Sequence, residues 1–145
     1  MLFKFKRFIL FVGLFFLLDY SVALAESWQV VTRDDSVLIW LDEEQVRDLF
    51  MSNRVKLWQV VDSDDSAMRN DFYQHVLGFS ASRWRAHWSK LVFTGQGSPP
   101  PQLNHHDVLI MLKQSDQVIT YLPLGLPLPI GVKRVYLSSE VIKGD

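Results

Sequence analysis

The residues best suited to chemistry lie between Asp62 and Phe72, where the apolar run Trp58 to Val61 ends in Asp62-Ser63-Asp64-Asp65-Ser66 and a helical pattern begins. Backbone N–H groups in the first turn of a helix have no partner within it, and the aligned peptide dipoles put partial positive charge there. A phosphate or sulfate is a suitable guest for such a terminus. On that chemistry Ser66, the N–H groups of Ala67 and Met68, and the side chain of Arg69 are the expected oxyanion donors. The bland alternative is that Ser66 simply caps the helix.

Other chemistries have weaker footing. Asp62, Asp64 and Asp65 offer oxygen ligands for a hard cation, but without the glycine and distal glutamate of a dedicated calcium loop they read first as a solvated acidic turn. His105 and His106 are adjacent, so on a helix they point about 100° apart, and helix-start polar residues are the better reading. His75 and His87 stand alone, with no local serine or acid arrangement that names a triad. No catalytic residue, metal site or cofactor is therefore assigned, and the chain is expected not to be an enzyme. Trp84 and Trp88, at i and i+4, read as core before they read as a ligand platform. With no cysteine in the chain, disulfides, thiolate metal sites and cysteine nucleophiles are excluded.

These residues need a frame. Residues 1–25 have the pattern of an export signal: Lys4, Lys6 and Arg7 precede the apolar stretch Phe8 to Leu18, and Ala23-Leu24-Ala25 supplies small residues for cleavage before Glu26. Eleven apolar residues closed by Asp19 fall short of the roughly 20 that span a bilayer. The expected location is periplasmic, with one domain over 26–145. Cleavage removes three of the 15 Lys+Arg and one of the 16 Asp+Glu, leaving 12 against 15 and a formal charge of −3, which gives no footprint for nucleic acid.

Within that domain, strands are expected at Ser27 to Thr32, Trp58 to Val61, Gln117 to Leu122 and Val132 to Leu137. Asp42 and Gln45 form a capping-box pattern ahead of Val46, Leu49 and Phe50, which predicts a helix to Asn53. Met68, Phe72, Val76 and Leu77 mark a second helix ending at Gly78, and Ser80 caps a third carrying Trp84, Trp88 and Leu91. A fourth fits Asp107 to Lys113. Thr94 to Pro101 is an exposed loop, since glycines relax the backbone and prolines remove donors. The segments Pro99 to Pro101 and Leu124 to Ile130 serve either as partner-recognition surface or as plain loop closure. Strands alternating with helices define an α/β layer arrangement.

In order along the chain, Leu49-Phe50, Trp58, Asp62 to Ser66, Phe72 with Val76-Leu77-Gly78, Trp88, Phe93 to Pro100 and Ile119 to Leu122 form a set of landmarks. On them the chain resembles the small single-domain relatives of periplasmic phosphate-binding proteins, the substrate-binding component of phosphate ABC transporters. The resemblance implies a single reduced lobe of the periplasmic-binding-protein-like fold, a central mixed sheet flanked by helices, with phosphate or a related oxyanion as ligand. In that family an Arg-Ser-Asp-Gly-Ser-Gly-Thr loop grips the anion. Ser63, Asp64 and Ser66 match it, whereas Asp62, Asp65, Ala67 and Met68 replace its arginine, both glycines and threonine. The residues implied as ligand-binding are thus Ser63, Asp64, Ser66, Ala67, Met68 and Arg69. A carboxylate in place of the arginine forfeits a charge-assisted hydrogen bond worth about 1.5–3 kcal/mol. The rival expectation is an accessory protein that has kept the scaffold and docks on a membrane transporter, sensor or envelope assembly.

Overall fold

The computed structural model describes residues 27–52 and 57–138, so the expected signal and Asn53 lie outside the described residues. The first strand, β1 (Trp28–Arg33), pairs antiparallel with β5 (Val118–Pro123) on one side and with β6 (Val132–Leu137) on the other. The short β2 (Gln59–Val60) adds to the far side of β5 in parallel, giving a mixed sheet in the order β2-β5-β1-β6. Both inner strands are buried on both faces, with apolar side chains in each phase of their alternation and Gln29, Thr32 and Thr120 as buried polar residues among them.

Trp28, Val30, Ile119 and Tyr121 face a core shared with α1 (Glu43–Met51) and α2 (Ser66–His75), through Val46, Phe50, Phe72 and Tyr73. Val31, Val118 and Leu122 face the opposite way, against Val108 and Leu112 of α4 (His105–Gln114). The third helix, α3 (Ala81–Phe93), joins the first layer through Trp84, whose ring meets Tyr73 edge-on at 5.6 Å. The architecture is α/β, with a central mixed sheet and helices on both faces, as the alternation of elements requires.

Helix starts follow local chemistry. Gln45 N–H donates to Asp42 Oδ1 at 2.8 Å while Gln45 Oε1 accepts from Asp42 N–H at 2.9 Å, completing the capping box. Ser80 Oγ accepts from Arg83 N–H, and Asn104 Oδ1 from Asp107 N–H. Because Asn104 is the cap, α4 begins at His105, two residues before its expected start. Gly78 ends the α2 region with φ at +70°, a backbone state that a side chain disfavours.

Two features have no clear local signal. A bulge in β6 sets Tyr136 opposite Val30 and Arg134 opposite Val31, so the intervening Val135 is extra, and both Val135 and Tyr136 are buried. Beyond Val60 the chain continues as β3 (Asp62–Ser63), which pairs in parallel with β4 (Gln102–Leu103). Asp62 to Ser66 is therefore not simply a loop. Its first two residues are strand.

Candidate functional site

The segment after Val60 presents two carboxylates in opposite situations. Asp62 is fully buried beneath the loop. Its Oδ1 accepts hydrogen bonds from Tyr121 Oη and from Ser63 N–H at 2.9 Å, and its Oδ2 accepts from Tyr73 Oη at 3.1 Å. Burial raises its pKa above the ordinary carboxylate value, and the hydrogen bonds from Tyr121 and Tyr73 oppose that rise. Both phenols are pushed up as well, first by burial and then by the Asp62 charge, so they remain protonated donors.

Asp65 is exposed and occupies the N-cap of α2. Its Oδ1 accepts from Ala67 N–H at 2.9 Å and Met68 N–H at 3.2 Å. The cap is thus Asp65 and not Ser66, which is the first helical residue. A carboxylate at this position satisfies two orphan donors and complements the helix dipole, so it outcompetes the neighbouring serine hydroxyl.

The remaining sequence-predicted residues gather around this start. Ser63 Oγ accepts from Asp65 N–H at 3.1 Å, and Ser63 O accepts from Arg69 Nη1 at 2.7 Å. Arg69 does point back at the loop, but it grips a main-chain carbonyl there and lies 5.7 Å from the Trp84 ring centre. Asp64 is exposed, with its N–H donated to Leu103 O. Ser63, Asp64, Ser66, Ala67, Met68 and Arg69 are therefore adjacent in space, with the N–H groups of Ala67 and Met68 directed at Asp65.

Beside the helix start lies an open depression of about 450 Å³ lined by Asp65, Ala67, Met68, Asp71 and Pro123. Asp71 accepts from Trp28 Nε1 at 2.9 Å and faces His75 Nδ1 at 3.0 Å. Two carboxylates on its wall give the depression the charge sign of an oxyanion itself. Among the described residues no three His, Asp or Glu side chains form a metal-holding group. His87 Nε2 is 2.6 Å from Met51 O, and His105 and His106 stand exposed at the start of α4.

Asp62, Tyr73 and Tyr121 as a cluster escape sequence reading. The available signal was a carboxylate following an apolar strand, with one tyrosine beside Phe72 and another in phase with Ile119.

No family model and no curated protein matches the chain. Among solved structures it is similar to an ABC-type phosphate transport receptor from Vibrio cholerae, with a TM-score of 0.46 and 14% identity over 77% of this chain and 46% of that one. The chain thus spans about half the length of that receptor. No helix among the described residues is long and apolar enough to cross a membrane.

Proposed function

We propose that this chain is an exported, non-enzymatic accessory domain, a reduced lobe of the periplasmic-binding class that acts by contacting another envelope protein and does not capture free phosphate. The observation that carries this reading is the engagement of the helix-start donors: Asp65 takes the N–H groups of Ala67 and Met68, at 2.9 and 3.2 Å. An incoming oxyanion must displace a carboxylate tethered two residues away, and must do so facing Asp71 as well. Arg69, the cation at the loop that sequence reading offered for the ligand, already gives its Nη1 to Ser63 O.

Surface composition supports the contact role. The connector between β1 and α1 leaves Val37 and Ile39 more than four-fifths exposed, with Trp40 beside them. Clustered apolar exposure of this kind is what protein interfaces use.

Calorimetry of the 26–145 protein against phosphate, with sulfate as control, tests the first half. The expected result is no saturable heat at millimolar anion. Phosphate-selective heat that vanishes in both Ser66→Ala and Arg69→Ala would restore the transport-receptor reading. A photoreactive side chain at Ile39 tests the second half: it should give one discrete envelope adduct in cells, and a smear no different from that at exposed His106 would count against it.

A further inference from the structure

Tyr73 sits between two groups of opposite character. On one side its Oη donates to Asp62 Oδ2 at 3.1 Å, and on the other its ring meets Trp84 edge-on at 5.6 Å between centroids. Trp84 is half-buried on α3, whereas Tyr73 is 1% exposed. An indole within reach of solvent therefore touches a buried phenol whose hydroxyl is already bonded to a carboxylate.

These are the parts of a proton-coupled electron step. In a chain without cysteine, indole and phenol are the side chains most readily oxidised by one electron. A phenol gives up an electron easily only when its proton has somewhere to go, because the phenol radical cation is a very strong acid. Asp62 offers that place: its Oδ2 accepts the Tyr73 hydroxyl, and burial raises its affinity for a proton.

Local charge sets the direction. The Arg69 guanidinium carbon lies 5.7 Å from the Trp84 ring centre, so positive charge on that ring is repelled. Trp84 Nε1 is out of contact with solvent, so an oxidised indole there cannot readily shed its proton to water. At Tyr73 the difficulty disappears, since the departing proton neutralises Asp62 and leaves a neutral phenoxyl. Tyr121 Oη stays on the other carboxylate oxygen and holds the acid in place.

We propose that Trp84, Tyr73 and Asp62 form a relay that draws one-electron oxidising equivalents from the surface into the core, with small inorganic radicals as the oxidants. The radical takes one electron from the Trp84 ring and becomes its closed-shell anion. Trp84 recovers that electron from Tyr73, whose hydroxyl hydrogen passes as a proton to Asp62 Oδ2. The end state is a neutral indole, a Tyr73 phenoxyl radical and a protonated Asp62. One electron and one proton have moved, and no bond between heavy atoms has formed or broken. The oxidised site is then enclosed, away from neighbouring molecules. This activity goes beyond the accessory reading and does not depend on it.

The test is pulse radiolysis of the 26–145 protein in azide solution, where the azide radical is the oxidant. Its tyrosines, Tyr73, Tyr121 and Tyr136, are at most 5% exposed, so direct attack on them is hindered and the first oxidation falls on indole. Indolyl absorption should decay as phenoxyl absorption grows, at a rate independent of protein concentration. That phase should be lost in Tyr73→Phe and in Trp84→Phe, and retained in Trp40→Phe, which removes an indole at 54% exposure. In Asp62→Asn it should be about a hundredfold slower, the scale on which a positioned base contributes. In the native protein it should slow in D2O, a measurement that needs no variant. A phenoxyl phase that keeps its rate in Tyr73→Phe or Trp84→Phe would overturn the proposal, as would its absence from the native protein. Equal rates in water and D2O, or in Asp62→Asn and the native protein, would overturn the part given to Asp62.

Discussion

Tyr73 donates its phenolic hydrogen to Asp62 Oδ2 at 3.1 Å, fastening the last turn of α2 to the first residue of β3. Tyr121 reaches the other oxygen from β5, so one buried carboxylate joins three elements. Because the donors are neutral, Asp62 carries its charge into the interior without a paired cation at its oxygens, and that arrangement sets the response of the fold to pH.

The Asp62 pKa is raised in the folded state, chiefly by burial. The folded protein therefore holds this proton more tightly than the unfolded chain, so the contribution of Asp62 to stability is largest at acid pH. It declines as pH rises from the unfolded value of about 3.9 through the raised folded value, and is constant above that. Urea midpoints measured across this range should show that component of the slope in the native protein and lack it in Asp62→Asn. Superimposable slopes would refute the burial effect.

Removing either phenolic donor leaves the carboxylate under-satisfied. Tyr73→Phe and Tyr121→Phe should each cost about 1–3 kcal/mol in chemical denaturation at neutral pH, where Asp62 is most dependent on them. The losses should not add in the double variant, because both act on one acceptor.

Asp65→Ala removes the cap of α2 and should destabilise by about 0.5–2 kcal/mol. Asp65→Ser, which retains an acceptor, should recover most of that. Thermal unfolding of the three proteins checks the order.

Phe72 stacks on Tyr121 at 3.8 Å between ring centres and 3° between planes, and also meets Trp28 and Phe50 edge-on. Truncation to alanine removes the hub of this cluster and should cost about 3–5 kcal/mol. Ile39→Ser and Phe93→Ser, at exposed positions, should stay within about 0.5 kcal/mol of the native protein by the same denaturation assay.

Where a few consecutive residues determine the outcome, the sequence was readable. Asp42 with Gln45, Ser80 ahead of Trp84, and the apolar phases of β1 and β5 each require only neighbours in the chain, and each stands where periodicity and capping rules put it. The candidate site was readable as a location and not as an arrangement. Whether Asp65 or Ser66 caps α2 depends on the torsions at one junction. The burial of Asp62 depends on Tyr121, 59 residues away, and the brief β4 on contact with Asp62 across 40 positions. Long-range pairings of this kind leave no periodic trace, and the proline run before Gln102 obscured the strand that follows it.

The central position of β1 also governs when the sheet can exist. Its partners lie 86 to 110 residues downstream: Thr32 Oγ1 donates to Val118 O, and Trp28 N–H to Ser138 Oγ. A polypeptide that emerges N-terminus first must hold Trp28 to Arg33 exposed until nearly all of the remainder has followed. Sheet closure is then a late event, slowed by the loop entropy of distant contacts. A chain of this topology cannot complete its central sheet until its last strand has been made.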